Sequence, residues 1–68
     1  MKIKWTKLNF GEYKSKDGRF YIIRTYDVVY GNHWFLQDNN ESGDYKGEYH
    51  LNSLRTCKNM AEKISAIH

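Results

Sequence analysis

The chain has 68 residues, a formal net charge of +3 and an aromatic content of 16%. This length allows one domain with a small core, because a chain of about 60 residues buries only about 60% of the surface that it exposes when unfolded. The single cysteine excludes an internal disulfide, and no apolar run approaches the roughly 20 residues of a membrane-spanning helix, so we expect a soluble cytoplasmic protein without membrane contact.

Extended segments occupy the first part of the chain. The first covers residues 3–14, with a bulge expected near Thr6 or Lys7 because the apolar residues change phase there. The sequence SKDG at 15–18 predicts a hairpin turn, since Asp tolerates turn dihedrals and Gly adopts positive φ without a steric penalty. The segments 3–14 and 19–27 are therefore expected to be antiparallel neighbours.

A second turn and a polar loop divide the rest of the predicted sheet. The turn is expected at YGN, residues 30–32, and leads into a strand at 33–38. The polar loop NNESGD at 39–44 then separates this strand from a short fourth strand at 45–50. No proline interrupts these segments, so every strand keeps its backbone donors for pairing.

The apolar period changes from 2 to about 3.6 near the end of the chain, which predicts an amphipathic helix over residues 53–66. Asn52 or Ser53 is expected at its N-cap. Its apolar stripe consists of Leu54, Cys57, Ala61 and Ile64. Together the segments predict a single small α+β domain over residues 1–68, with a three- to four-stranded antiparallel sheet in ββββα order and the helix packed on one face.

One helix covers only one face of such a sheet, so the other face meets solvent or a partner. The segment 19–27 carries apolar side chains in both phases, so the two faces compete for the helix. The helix side is assigned to Phe20, Ile22, Trp34 and Leu36. The opposite set contains polar residues such as Gln37, which cost less to leave in water. The open face is then predicted to display Tyr13, Tyr21, Ile23, His33 and Phe35, an apolar patch of the kind that marks interaction sites.

The layout resembles a family of DNA-binding domains. The segments EYKSKDGRFYIIR, WFLQD and NSLRTCKNMAEKI resemble the hairpin, third strand and C-terminal helix of AP2-like domains, which occur in plant transcription factors and in some phage and transposon integrases. The resemblance covers residues 11–66 and implies a sheet platform that enters the major groove. The DNA-facing positions of the family would fall on Arg19, Tyr21, Ile23, His33 and Phe35.

The distribution of charge favours a protein partner over DNA. Residues 1–24 carry +5, residues 25–50 carry −4 and residues 51–68 carry +2. A duplex-binding surface is continuously basic, whereas the middle segment carries an acidic patch consisting of Asp38, Glu41, Asp44 and Glu48. Oppositely charged ends suit orientation on a protein partner. Duplex DNA therefore ranks second, also because Arg19 alone among the DNA-facing positions suits phosphate or base contact.

We predict no catalytic residue, no metal site and no cofactor. The three histidines and Cys57 lack the short ligand spacing of zinc sites. Cys57 lies on the apolar stripe of the predicted helix, where a thiol is usually inert packing. The five glycines are spaced as turns and strand kinks and form no phosphate loop. A non-enzymatic function is expected.

Aromatic-rich chains of this size without an enzyme site resemble the small accessory and inhibitor proteins of bacteriophages, including anti-CRISPR and other anti-defence proteins. The resemblance implies a phage or mobile-element protein in the cytoplasm of a bacterial host, which docks its open sheet face on a host macromolecule such as a nucleic-acid-handling complex. The initiating Met1 and the absence of a linker lead us to expect a complete gene product. Two alternatives stay open: an AP2-like DNA-binding protein and a small homodimerising module. We expect a monomer or a homodimer.

Overall fold

A computed structural model describes residues 2–39 and 47–67 of the chain. Within these residues the elements are β1 (Trp5–Asn9), β2 (Glu12–Ser15), β3 (Phe20–Asp27), β4 (Gly31–Asp38), β5 (Gly47–Leu51) and α1 (Leu54–Ile67). The strands form one antiparallel sheet in the order β1-β2-β3-β4-β5. The predicted α+β class with a C-terminal helix is confirmed, and the sheet has five strands where three to four were predicted.

The additional strand comes from the segment 3–14, which was predicted as one strand and forms two. Phe10 and Gly11 turn the chain between β1 and β2, with Gly11 at a φ of 75°. Of the two, β2 is the antiparallel neighbour of β3, as expected for this segment, and β1 pairs with β2. The β1–β2 register shifts between Lys7 and Asn9, next to the predicted bulge.

The two remaining hairpin connections differ in how well they were predicted. The turn at 15–18 is confirmed: the Gly18 amide donates to the Ser15 carbonyl at 2.9 Å, and Gly18 has a φ of 82°. The turn predicted at 30–32 lies instead at residues 28–30, because Asp27 Oδ1 accepts the amide of Val29 at 2.6 Å and so reverses the chain earlier. The strand predicted at 45–50 is observed as β5, while residues 45 and 46 lie outside the described residues.

The core lies between the sheet and α1, which packs against β3, β4 and β5. Its fully buried members are Phe20, Ile22, Leu36, Cys57 and Ala61, and Trp34 packs against them. The assignment of Phe20, Ile22, Trp34 and Leu36 to the helix side is therefore confirmed. Burying these side chains supplies most of the folding free energy of a small domain, at about 25 cal/mol per Å² of apolar surface.

The helix begins where the sequence predicts. Ser53 is the N-cap: its Oγ accepts the backbone amide of Thr56 at 3.1 Å, which satisfies one of the unpaired donors of the first turn. The Thr56 hydroxyl lies 2.8 Å from Ser53 Oγ and 3.2 Å from the side-chain oxygen of Asn52. Asn52 and Ser53 thus both contact Thr56 at this end of the helix. In the described part of the chain, no helix is long and apolar enough to cross a membrane.

Candidate functional site

The face of the sheet opposite α1 is built from two rows of cross-strand neighbours. The central row consists of Glu12, Ile23, Phe35 and His50, one from each of β2 to β5. The adjacent row consists of Lys14, Tyr21, Gln37 and Glu48. We call these eight residues, together with His33, the open face. Tyr21, Ile23 and Phe35 are half-buried on it, because their neighbours within the two rows shield them.

The Tyr21 hydroxyl donates a hydrogen bond to Glu12 Oε2 across the β2–β3 pair. A second donor, the side-chain amide of Asn9, reaches Glu12 Oε1 at 2.9 Å. The hydrogen bond from Tyr21, followed by that from Asn9, lowers the pKa of Glu12. The hydrogen bond to Glu12 and partial burial raise the pKa of Tyr21 to about 12. These bonds fix the orientation of a large aromatic side chain on the open face.

A histidine pair joins β4 to β5. Nε2 of His33 lies 2.7 Å from Nδ1 of His50, and Nδ1 of His33 lies 2.9 Å from the carbonyl oxygen of Gly31. A carbonyl only accepts, so Nδ1 of His33 carries a proton. In the neutral pair, Nε2 of His33 must then accept the Nδ1–H of His50. His33 is buried at 7% exposure, whereas His50 is exposed.

Aromatic contacts extend the histidine pair in both directions. The ring of Tyr30 stacks on that of His50, with centroids 4.5 Å apart and planes 9° from parallel. Phe35 meets His50 edge-on at 5.3 Å. The open face therefore carries a continuous strip from Ile23 through Phe35 and His50 to Tyr30, at geometries favourable for aromatic pairs.

Tyr13 was predicted on the open face and lies on the helix side. It is the cross-strand partner of Ile22, its ring lies 6.4 Å from that of Trp34, and Lys58 of α1 places its ammonium 5.1 Å from the ring centroid. The prediction was wrong because the turn at Phe10 and Gly11 resets the strand phase. Tyr21, Ile23 and Phe35 lie on the open face as predicted and are half-buried. His33 has the same strand phase but is only 7% exposed, so the prediction that this face displays it is wrong.

Arg19 and the acidic patch also differ from the expected arrangement. Arg19 lies beside the sheet end and binds Asp38 through two hydrogen bonds, with Nε–Oδ1 at 2.8 Å and Nη2–Oδ2 at 3.1 Å. Asp38 is only 7% exposed, so it contributes an ion pair and is not part of an exposed acidic patch. Glu48 is exposed on the open face. Glu41 and Asp44 lie outside the described residues.

Cys57 and the histidine pair lie on opposite faces of the sheet. Cys57 is buried under α1, and burial raises the pKa of its thiol to about 11, so it is protonated at neutral pH. His50 lies on the other face of the sheet and cannot act on it. Over residues 2–39 and 47–67, no three metal-ligating side chains cluster.

The sequence did not predict the contact between His33 and His50 or the stacking of Tyr30 on His50. The two histidines are 17 residues apart, so only the β4–β5 register, in which Phe35 faces His50, brings them together.

Compared with known protein families, curated proteins and solved structures, the chain has no significant match.

Proposed function

We propose that the chain is a small non-enzymatic binding protein that docks its open face on a protein partner. The observation that carries the proposal is a strip of apolar and aromatic side chains that α1 does not cover, in which Ile23 and Phe35 are half-buried and His50 and Tyr30 are exposed. Tyr, Phe and other large side chains that are already held in place lose little entropy on binding, which is why such residues anchor interfaces.

The polar residues around the strip supply specificity. Glu48 and Lys14 lie in the adjacent row, and Glu12 is oriented by Tyr21. Charges at the rim of an interface steer association and select the partner more than they add affinity. An inhibitor or accessory protein of a phage or mobile element, acting on a host protein in the bacterial cytoplasm, is the biological role that we propose for this chemistry.

DNA binding has less support. Among the positions that the AP2-like resemblance places against DNA, Arg19 alone has a side chain that suits a phosphate. Its guanidinium is already paired with the Asp38 carboxylate. A phosphate would have to compete with this charge-assisted, two-point contact. Tyr21, Ile23 and Phe35 offer apolar surface where duplex binders place donors and acceptors for base edges. We expect weak or absent duplex binding at about 0.15 M salt, measured by mobility shift.

The test is a comparative capture from a bacterial lysate, quantified by mass spectrometry, with three baits. These are the native chain, Phe35→Asp on the open face, and the matched control Lys63→Glu on the exposed side of α1. We expect at least one protein that the native chain and Lys63→Glu capture equally and that Phe35→Asp loses by about tenfold or more, corresponding to about 1.4 kcal/mol.

Circular dichroism of each bait shows that it is folded. The proposal is wrong if folded Phe35→Asp captures the same proteins in the same amounts as the native chain. Capture of nothing by the native chain, together with a dimer that Phe35→Asp dissociates, would instead assign the open face to homodimerisation.

A further inference from the structure

The first strand forms an edge of the sheet. β1 pairs with β2 on one side, and the strand order places no other strand of the described chain beside it. α1 packs against β3, β4 and β5, so within residues 2–39 and 47–67 only β2 packs against β1. An edge strand presents unpaired backbone groups, which are a template for a further strand.

The β1–β2 register decides which backbone groups face outward. The amide of Lys16 donates to the carbonyl of Lys4 at 2.9 Å, so these two residues form a hydrogen-bonded pair. Hydrogen-bonded and non-hydrogen-bonded pairs alternate along an antiparallel ladder. Trp5 and Lys7 occupy the non-hydrogen-bonded positions, and their N–H and C=O groups therefore point away from β2. Two donors and two acceptors, at a spacing of about 6.8 Å along the strand, are thus available to an extended chain.

This edge is strongly basic. Residues 2–17 contain five lysines and two carboxylates, which leaves a net charge of +3, and all five lysines are exposed. The lysines are Lys2, Lys4, Lys7, Lys14 and Lys16. The carboxylates accept hydrogen bonds from neighbouring side chains, Glu12 from Tyr21 and Asp17 from Ser15. Among residues 2–39 and 47–67, no lysine lies within 4.0 Å of a carboxylate oxygen.

Three of these lysines lie close together on the side of the sheet that carries the open face. Lys14 is the cross-strand partner of Thr6, and Lys4 shares the phase of Thr6 because it lies two residues earlier. Lys16 lines one cleft with Lys4 and a second cleft with Lys14. Like charges on neighbouring strands repel, so acidic side chains placed beside this cluster would be stabilised.

The opposite side of β1 is aromatic. Trp5 is half-buried, and its ring centroid lies 6.4 Å from that of Phe20 on the helix side. A strand added to β1 would therefore place alternate side chains beside lysines and beside an indole.

We propose that β1 binds an acidic extended segment of a partner protein, which adds to the sheet as a further strand. Its glutamate or aspartate side chains lie on the side of Lys4, and the alternate side chains are aliphatic or threonine and pack beside Trp5. Main-chain hydrogen bonds to Trp5 and Lys7 supply affinity, and the alternating side chains supply specificity.

The charge and the backbone groups together select this occupant. A second copy of β1 would bring the same lysines to the edge, and lysines on edge strands oppose such self-pairing. The phosphates of a nucleic acid accept hydrogen bonds and donate none, so they leave the outward carbonyls of Trp5 and Lys7 without donors from the ligand. An acidic peptide matches both the lysines and the alternating donors and acceptors.

The edge is separate from the proposed docking surface of the open face. The strip of the open face lies on β3, β4 and β5, with Phe35 near its centre. Phe35→Asp should therefore bind an acidic strand normally, and a lysine variant at the edge should still capture the open-face partner. The two proposals fail separately.

The test is fluorescence anisotropy of the full chain with a labelled peptide of about eight residues, the length of an ordinary strand, in which glutamate alternates with valine. We expect saturable binding of this peptide and none of the peptide with lysine in place of glutamate. Alternate amides of a strand point to opposite edges, so N-methylation of one alternate set should abolish binding, whereas N-methylation of the other set should retain it.

Substitutions in the chain locate the site. We expect Lys4→Glu and Lys16→Glu to bind the acidic peptide at least tenfold more weakly. Each removes a like-charge contact, so both should remain folded by circular dichroism. Lys63→Glu makes the same change on the exposed side of α1 and should bind like the native chain.

Hydrogen exchange gives a readout of strand pairing itself. The outward amides of Trp5 and Lys7 should exchange more slowly when the peptide is bound, whereas the Thr6 amide is already paired with β2 and should change little. The proposal is overturned by the absence of peptide binding, by equal effects of the two N-methylated peptides, or by equal losses in Lys63→Glu. Single-stranded DNA that binds more tightly than the peptide and displaces it would assign the lysines to a nucleic acid and would also overturn the proposal.

Discussion

Ile22 and Ile23 are adjacent residues of the same type with different environments. Ile22 is fully buried beneath α1, and Ile23 is half-buried on the open face. We expect Ile22→Ala to cost about 2 to 5 kcal/mol, because it removes buried methyl groups and leaves a cavity. Ile23→Ala should cost about 1 kcal/mol or less, in the range usual for surface positions. Thermal and urea unfolding of the two variants measure the difference, and a larger loss in Ile23→Ala would mean that the faces are reversed.

Tyr21 provides a titration that reports on the open face. The pKa of Tyr21 in the folded chain is about 12, above the usual value of 10.0, because the protonated phenol donates a hydrogen bond to Glu12. The stability contributed by this bond is therefore present below pH 10 and is lost as the pH rises through about 12. We expect the near-ultraviolet absorbance of phenolate to show one late step that Tyr21→Phe removes.

Glu12→Gln is the matched control for this titration, since it keeps the side-chain size and removes the charge. The late step should move to lower pH in this variant. A titration curve that is the same in the native chain and in Glu12→Gln would show that the hydrogen bond between Tyr21 and Glu12 is not formed.

The misplacement of Tyr13 shows what residue-level reasoning lacked. The alternation of apolar residues identified the two possible faces of the sheet. The more polar residues of one face indicated that the other, with Phe20 and Ile22, lies under the helix, and this is confirmed. For Tyr13 the choice depended on where the preceding strand ended. Asn9 and Gly11 are turn residues, but the apolar Phe10 between them fitted an extended segment equally well.

At the scale of elements, the N-cap of α1 is a predicted feature that can be tested alone. Ser53 Oγ accepts the Thr56 amide at 3.1 Å. We expect Ser53→Ala to lower the free energy of unfolding by about 1 kcal/mol. Ser65→Ala makes the same change within the helix, where alanine has the higher helix propensity, and it should be neutral or slightly stabilising. Equal effects of the two substitutions in denaturant unfolding would contradict the assignment of Ser53 as the cap.

Elements were predictable to the extent that their signals are local. The helix, its cap and the turn at Asp17 and Gly18 depend on neighbouring residues, and all three were predicted. The β3–β4 turn lies two residues before its predicted position, because the Asp27 side chain accepts hydrogen bonds from two backbone amides. The pattern YGN favoured the later position. The pairing of His33 with His50 depends on strand register, which sequence spacing does not specify.

At the scale of the whole molecule, we expect a monomer of 8.2 kDa or a two-fold dimer, measured by light scattering after gel filtration. A closed two-fold interface uses the same patch on both chains, so the strip on the open face could pair with its own copy. Any dimer that uses this face should dissociate in Phe35→Asp and persist in Lys63→Glu. Assemblies larger than a dimer would contradict this expectation.

The basic and acidic segments, which are separate along the sequence, contact each other in the fold. The Arg19–Asp38 ion pair joins the basic first segment to the acidic middle segment, at 2.8 Å. The charge separation read from the sequence is thus partly neutralised within the molecule. The strip of the open face lies away from this ion pair and is not covered by α1.

The measurement that tests the central claim most directly is the affinity of Ile23→Lys for the partner captured by the native chain, determined by titration calorimetry. If Ile23 is a hot spot, the substitution should reduce the binding free energy by about 2 kcal/mol or more, which raises the dissociation constant about 30-fold. The melting temperature of the free variant should meanwhile stay well above that of Ile22→Ala. An unchanged dissociation constant for a folded Ile23→Lys would contradict the claim that the open face is the docking surface.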